Sequence, residues 1–285
     1  MLLERLGIGK KVITLGGAAV ELVRRQAKIK GIDLNKFLGH DKPKRPFESL
    51  APLIAIAAQA YHGGYNVATA LGFSPEEKEL ADLDIRAAYP TALSFIALPD
   101  WHTARHCTDL DRLAVIDAAM TAALVEFRFP DGTLFPCLPV RATNGRGLIY
   151  PLEGSSWCTG LELVVAISIG ADITVKDGCR VDWIPGSIRL FEDIARQVGE
   201  IRAEAKAQQP PDLVLDKTVK ELVNSIYGKI AQSVAGMRII PDDRDRRSVF
   251  NTMYGTSDSL GPSAITNAMM AAYCTGLVRH CCWRR

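Results

Sequence analysis

The segment KELVNSIYGK (220–229) sets Lys220, Asn224 and Tyr227 at intervals of four and three. On a helix with about 3.6 residues per turn these share one stripe, aligning a cation, an amide and a phenol. An earlier amphipathic run over 187–207 carries Arg202 and Lys206, also four apart. Gln208-Gln209-Pro210-Pro211 breaks that run, and 213–233 predicts a second helix, so the pair should form an antiparallel hairpin. Arg202 and Lys220 would then lie at matching heights, roughly 10 Å from the tip. Three cations and an amide on one patch suit a polyphosphate: Arg offers a fork, Lys a point charge, Asn a directional donor. Solvated helix faces give the same spacing, so the pattern alone leaves both readings open.

The full string Lys220-x-x-x-Asn224-Ser225-x-Tyr227-Gly228 matches K-x-x-x-N-S-x-Y-G. It resembles motif B of the family B DNA polymerases at every defined position, and IRAEAK (201–206) is similar to the partner fingers helix. The resemblance implies that Arg202, Lys206, Lys220 and Asn224 hold the triphosphate of an incoming nucleotide. Tyr227 and Gly228 would line the nascent base pair. Asp84-Ile85-Arg86-Ala87-Ala88-Tyr89-Pro90 resembles motif A, D-x-x-S-L-Y-P, with Ala87 and Ala88 in place of Ser-Leu. By that resemblance Asp84 and the carbonyl of Ile85 are metal ligands and Tyr89 is the steric gate under the sugar. Transfer to a 3′-hydroxyl by two Mg²⁺ ions needs carboxylates of this kind. Tyr61-His62-Gly63-Gly64 resembles the Y-x-G-[GA] motif that contacts DNA, so Tyr61, Gly63 and Gly64 become DNA-binding candidates; glycines let a phosphate come close. FPCLPVR through ADITV is similar to the palm insertion of the protein-primed branch, which serves mobile elements. The implied partners are a DNA primer-template, dNTPs and a terminal priming protein.

These residues need a scaffold. Residues 11–38 and 48–60 predict helices, with HDKPKRP (40–46) a basic turn between them, SPEEKEL (74–80) an acidic turn and ADLDI (81–85) a short strand. Pro130-Asp131-Gly132, Asn144-Gly145 and Asp177-Gly178 fall between apolar runs and predict antiparallel hairpins over 115–185. Thr159 and Glu162 predict a capping box opening a helix that ends at Gly170. The expected fold is α+β: an antiparallel palm sheet with packed helices plus a two-helix fingers hairpin, an incomplete right hand. The expected divisions are a helical segment (1–60), palm with insertion (61–186), fingers (187–233) and palm continuation (234–285).

The match has gaps. Tyr254-Gly255-Thr256-Ser257-Asp258-Ser259 imitates motif C, Y-G-D-T-D-S, but Thr256 replaces its first Asp, and SAITNAMMAAYCTGLVR (263–279) resembles the helix that precedes motif C. The second metal carboxylate is therefore not found. The expectation is a DNA-directed DNA polymerase, truncated before motif C and the thumb, with little or no activity alone. The alternative is a non-catalytic DNA- and nucleotide-binding remnant of a mobile-element replication protein. A P-loop reading of GIGKKVITLGGAA (7–19) fails on spacing, Lys11 standing where Ser or Thr should be.

Composition sets outer limits. The chain has 285 residues, 48% of them apolar, and a net charge of +2, so it is globular and no polycation. Residues 1–50 carry eleven Lys or Arg against five Asp or Glu, and Arg279, Arg284 and Arg285 add to the far end, predicting a locally basic surface. Seven cysteines lack disulfide or zinc spacing and no apolar run reaches the ~20 residues of a membrane span. A cytoplasmic protein with reduced thiols and no membrane partner is expected.

Overall fold

Thr14 accepts a hydrogen bond from Gly17 N (3.1 Å) and starts helix α1, Leu15–Ile29. In the computed structural model, which describes residues 5–8, 12–67, 85, 87–142, 147–234 and 261–283, the predicted helix over 11–38 is two. Gly31 takes φ +66°, which ends α1, and Asp33 then caps a single turn, α2, Leu34–Phe37. The basic turn is also corrected: His40–Lys42 (β1) and Arg45–Pro46 (β2) pair as a small antiparallel ribbon. The helix predicted over 48–60 forms as a 3₁₀ turn followed by α3, Ala51–Ala60. SPEEKEL and all of ADLDI before Ile85 lie outside the described residues.

After α4 (Ala88–Ser94) come β3 (Arg105–His106), α5 (Leu110–Leu113), β4 (Ala119–Arg128), β5 (Val140–Arg141), β6 (Leu148–Ile149) and β7 (Glu153–Thr159). Then follow α6 (Gly160–Ser168), β8 (Asp172–Asp182), α7 (Glu192–Ala207), α8 (Leu213–Ile230) and α9 (Ala268–Trp283). The main sheet is antiparallel, ordered β3-β8-β4-β7. Of the three turn signals, the one at Asn144-Gly145 joins paired strands, β5 and β6, although the turn itself lies outside the described residues. Pro130-Asp131-Gly132 does not, because β4 pairs with β7 and β8 and Pro136 and Pro139 interrupt the following segment. Asp177-Gly178 is no turn at all; it lies within β8. A Cβ on Gly178 would stand 2.5 Å from the Cys107 carbonyl, and Cys107 N donates to Gly178 O at 2.9 Å. That glycine serves close backbone approach, and the ladder takes up the irregularity as a bulge opposite Leu124/Val125.

The two faces of β4 divide the core. Met120 and Ala122 join the larger cluster with α1, α3, α7, α8 and α9. Ala123, Val125 and Phe127 join a smaller one with Leu113, Leu138 and Leu163. The last helix is apolar nearly all round, AMMAAYCTGL, and is correspondingly buried from Ala268 to Leu277. At the start of α6 the predicted capping box is present, Glu162 Oε2 accepting from Thr159 N at 2.9 Å. All seven cysteines are free thiols.

Candidate functional site

Asp212 caps α8 through a 2.9 Å bond from Leu215 N. Val219, Leu222, Val223, Ile226 and Ile230 are its buried face, which leaves Asp216, Lys220, Asn224 and Tyr227 along the flank. Its partner α7 buries Ile194, Val198, Ile201 and Ala205 and presents Arg202 beside that flank. The hairpin drawn from sequence is therefore formed, with α7 beginning at Glu192 and α8 ending at Ile230, a few residues inside the expected outer limits, and both inner ends at Ala207 and Leu213 as expected.

Opposite the hairpin, Ala87 adopts a left-handed conformation (φ +52°) and turns the chain sharply into α4. The result is a cleft of about 280 Å³. Ile85 and Ala87 to Pro90 line one side, and Gly199, Arg202, Lys220 and Asn224 line the other. Two segments more than a hundred residues apart thus face the same space. Asp84 itself lies outside the described residues, as do Arg86 and the 235–260 stretch containing Asp258.

Three tyrosines tie the three motifs together. The Tyr227 hydroxyl donates to the Tyr61 hydroxyl at 3.1 Å. The Tyr227 ring stacks on Tyr89, with centroids 4.3 Å apart and planes 18° from parallel. Burial, followed by the neighbouring phenol of Tyr61, pushes the Tyr227 hydroxyl well above its usual range, so that hydroxyl keeps its proton to donate. Gly228 is exposed with open space where a Cβ would be.

Lys206 stands outside the cleft lining, and a carboxylate absent from the sequence reading explains its place. Asp216 Oδ1 accepts from Arg202 Nε at 2.7 Å, and its Oδ2 lies 3.9 Å from Lys206 Nζ. The Arg202 hydrogen bond, foremost, holds the Asp216 carboxyl below the usual carboxylate range. The signal was available: Asp216 precedes Lys220 by four residues, on the same stripe.

The Tyr61-His62-Gly63-Gly64 segment leaves α3 in extended form. A Cβ on Gly63 would meet nothing within 4 Å, and one on Gly64 only the Asn66 side chain, so this backbone is open to a ligand. Its other side is fixed from beneath. Arg279 Nη1 donates to the carbonyls of His62 (3.1 Å) and Gly63 (2.7 Å), and its Nε donates to Glu162 Oε1 at 2.8 Å. The side chains of Arg279 and Glu162 are each 2% exposed, which corrects the expectation of Arg279 as surface charge. Burial raises the Glu162 pKa, but Arg279 outweighs it and the carboxyl ends below its usual value. His62, also buried, faces the Trp157 carbonyl through Nε2 at 2.7 Å. Sequence spacing could not reveal this strut, since its ends are 117 residues apart.

Among the described residues no group of three His, Cys, Asp or Glu side chains is placed to hold a metal ion. No described helix is long and apolar enough to cross a membrane.

No family model matches the chain. Among curated proteins it is similar to the primer-independent DNA polymerase PolB of Escherichia coli, 36% identical over 226 residues, covering 77% of this chain and 24% of that protein. Among solved structures it is similar to Phi29 DNA polymerase in an orthorhombic crystal form, with TM-score 0.58 and 15% identity over 100% of this chain and 48% of that one. The same polymerase complexed with primer-template DNA and incoming nucleotides gives TM-score 0.57 and 16% identity, with the same coverage. The chain thus spans about a quarter of the curated relative and about half of the solved one.

Proposed function

We propose that this chain, which is homologous to part of a family B DNA polymerase, supplies the palm-and-fingers nucleotide site for template-directed DNA synthesis. The observation that carries this reading is the cleft: Ile85 and Ala87 to Pro90 face Arg202, Lys220 and Asn224 across about 280 Å³. In it Arg202 and Lys220 receive the triphosphate oxygens and Asn224 directs one of them. Tyr89 packs under the sugar, where a 2′-hydroxyl would be excluded, and Tyr227 and Gly228 meet the base pair. The open backbone at Gly63 and Gly64 lies along the DNA. Asp84 and the Ile85 carbonyl offer two of the about six oxygens that a Mg²⁺ ion takes, and substrate phosphates and waters fill out such a set. Bound there, a pair of such ions would supply activation of the attacking 3′-hydroxyl and charge stabilisation of the leaving group; Asp84 and the Ile85 carbonyl are the ligands this chain would contribute.

Titration of the purified chain with a fluorescent dNTP tests the site. Lys220→Ala should weaken binding by roughly 10- to 100-fold, the worth of a charge-assisted bond; an unchanged affinity refutes the cradle. Incubation with Mg²⁺, dNTPs and either a primed or an unprimed template tests synthesis. Extension of either establishes polymerase activity in this chain. Salt-sensitive DNA binding without extension supports the alternative, a binding remnant. Because the curated relative is described as primer-independent, we extend initiation without a primer to this chain ahead of priming by a terminal protein.

A further inference from the structure

The phosphate cradle contains its own counter-ion. Asp216 lies one helical turn before Lys220 on α8, and its carboxylate meets Arg202 Nε at 2.7 Å and Lys206 Nζ at 3.9 Å. It is 18% exposed and Arg202 is 24% exposed, so this pair is more sheltered than an ordinary surface bridge. Arg202 is at once the Asp216 partner and a wall of the cleft.

A guanidinium binds paired phosphate oxygens through two parallel N–H groups. With Nε committed to Asp216, the edge formed by Nε and its neighbouring Nη is not available to a ligand. The fixed negative charge also opposes an arriving anion and cancels one of the three positive charges of Arg202, Lys206 and Lys220. Against this, Asp216 holds Arg202 in place, which lowers the ordering cost of binding. The two effects have opposite signs. The charge effect is the larger, because a polyphosphate brings several negative charges whereas the ordering concerns one side chain.

We propose that Asp216 acts as an internal competitor for phosphate, a residue that lowers the nucleotide affinity of the cradle while keeping Arg202 poised. The inference rests on the nucleotide-site reading above. The nucleotide is held less tightly because the carboxylate keeps one edge of Arg202 and sets a negative charge beside the arriving phosphates.

The test is a titration of the full chain and its variants with dATP and, separately, with inorganic tripolyphosphate in metal-free buffer. Asp216→Asn keeps the shape and an oxygen acceptor for Arg202 Nε but removes the charge. It should tighten both probes on the order of tenfold, and steepen the dependence of log Kd on log salt. Asp216→Ala serves as the second variant and should also tighten both. A residue that merely braced the hairpin would loosen binding when changed. Unchanged or weaker affinity in both variants, with Lys220→Ala still weakening the parent chain, overturns the competitor and leaves the nucleotide site standing. If Lys220→Ala has no effect on the parent chain, the site reading falls and takes the inference with it.

Discussion

Glu162→Gln is the substitution that tests the buried strut most directly. It leaves the Arg279 guanidinium, 2% exposed, with its charge uncompensated beneath the Gly63 backbone. Breaking a buried pair from one side costs about 3–5 kcal/mol, because the stranded charge keeps its desolvation penalty. The glutamine amide has a single acceptor oxygen, so it keeps either the bond from Arg279 Nε or the one from Thr159 N and turns its NH2 toward the other donor; a loss of at least about 3 kcal/mol is expected. For a chain of this size that corresponds to a fall in Tm of roughly 6–12 °C. Arg279→Met should cost a comparable amount and also strip the carbonyls of His62 and Gly63 of their donor. The double variant should be less destabilised than the sum of the singles by about 2–3 kcal/mol, since neither charge is then stranded. Urea denaturation followed by tryptophan fluorescence measures all three, Trp157 being the residue whose carbonyl faces His62. A Glu162→Gln cost below about 1 kcal/mol, or strict additivity in the double, refutes the reasoning.

Three further outcomes are expected. Ala87→Gly should stabilise the chain by about 1 kcal/mol in the same denaturation assay, because glycine adopts the φ of +52° without the penalty that alanine carries. Gly178→Ala should destabilise it by about 1–3 kcal/mol, as the added methyl meets the Cys107 and Ala122 carbonyls at 2.5 and 3.1 Å; a neutral result would mean that the ladder there gives way. His40 and His62 both have pKa values lowered by burial from 6.5, so each contributes stability that is full above pH 6.5 and falls as pH drops toward the folded values. A denaturation midpoint that falls between pH 6.5 and 5, and falls less in His62→Asn, is the expected result; a flat profile over that range rules out the histidine contribution.

Helices and the site stripe were legible because they are local: periodicity marked α7 and α8, resemblance marked α9, and a single proline-rich break marked the hairpin turn. The capping box at Thr159 and Glu162 was read as a helix start, which it is, but the second use of Glu162 as the counter-charge of Arg279 is a long-range fact. Asp177-Gly178 misled because the same dipeptide suits a turn or a close strand approach, and only the position of Cys107 decides between them. Arg279 was misjudged for a related reason: a charged residue near a chain end looks solvated until its partners are known. The spacing of Asp216 from Lys220 is local, but the role of its carboxylate depends on Arg202 of the partner helix, which only the packing of the hairpin brings to it.

The first helix has a bearing on how the hairpin can move. Arg5 pairs with Glu204, while Lys30 and Gln26 both engage Asp193. Between these ties α1 buries Ala18, Ala19, Leu22 and Val23 in the cluster that also holds Val219 and Val223. The projection is therefore a bundle of three staves instead of a bare pair. Any swing of its tip over the cleft would have to carry α1 along as cargo or shear that apolar seam, so the leverage for such a swing resides as much in α1 as in the hairpin itself.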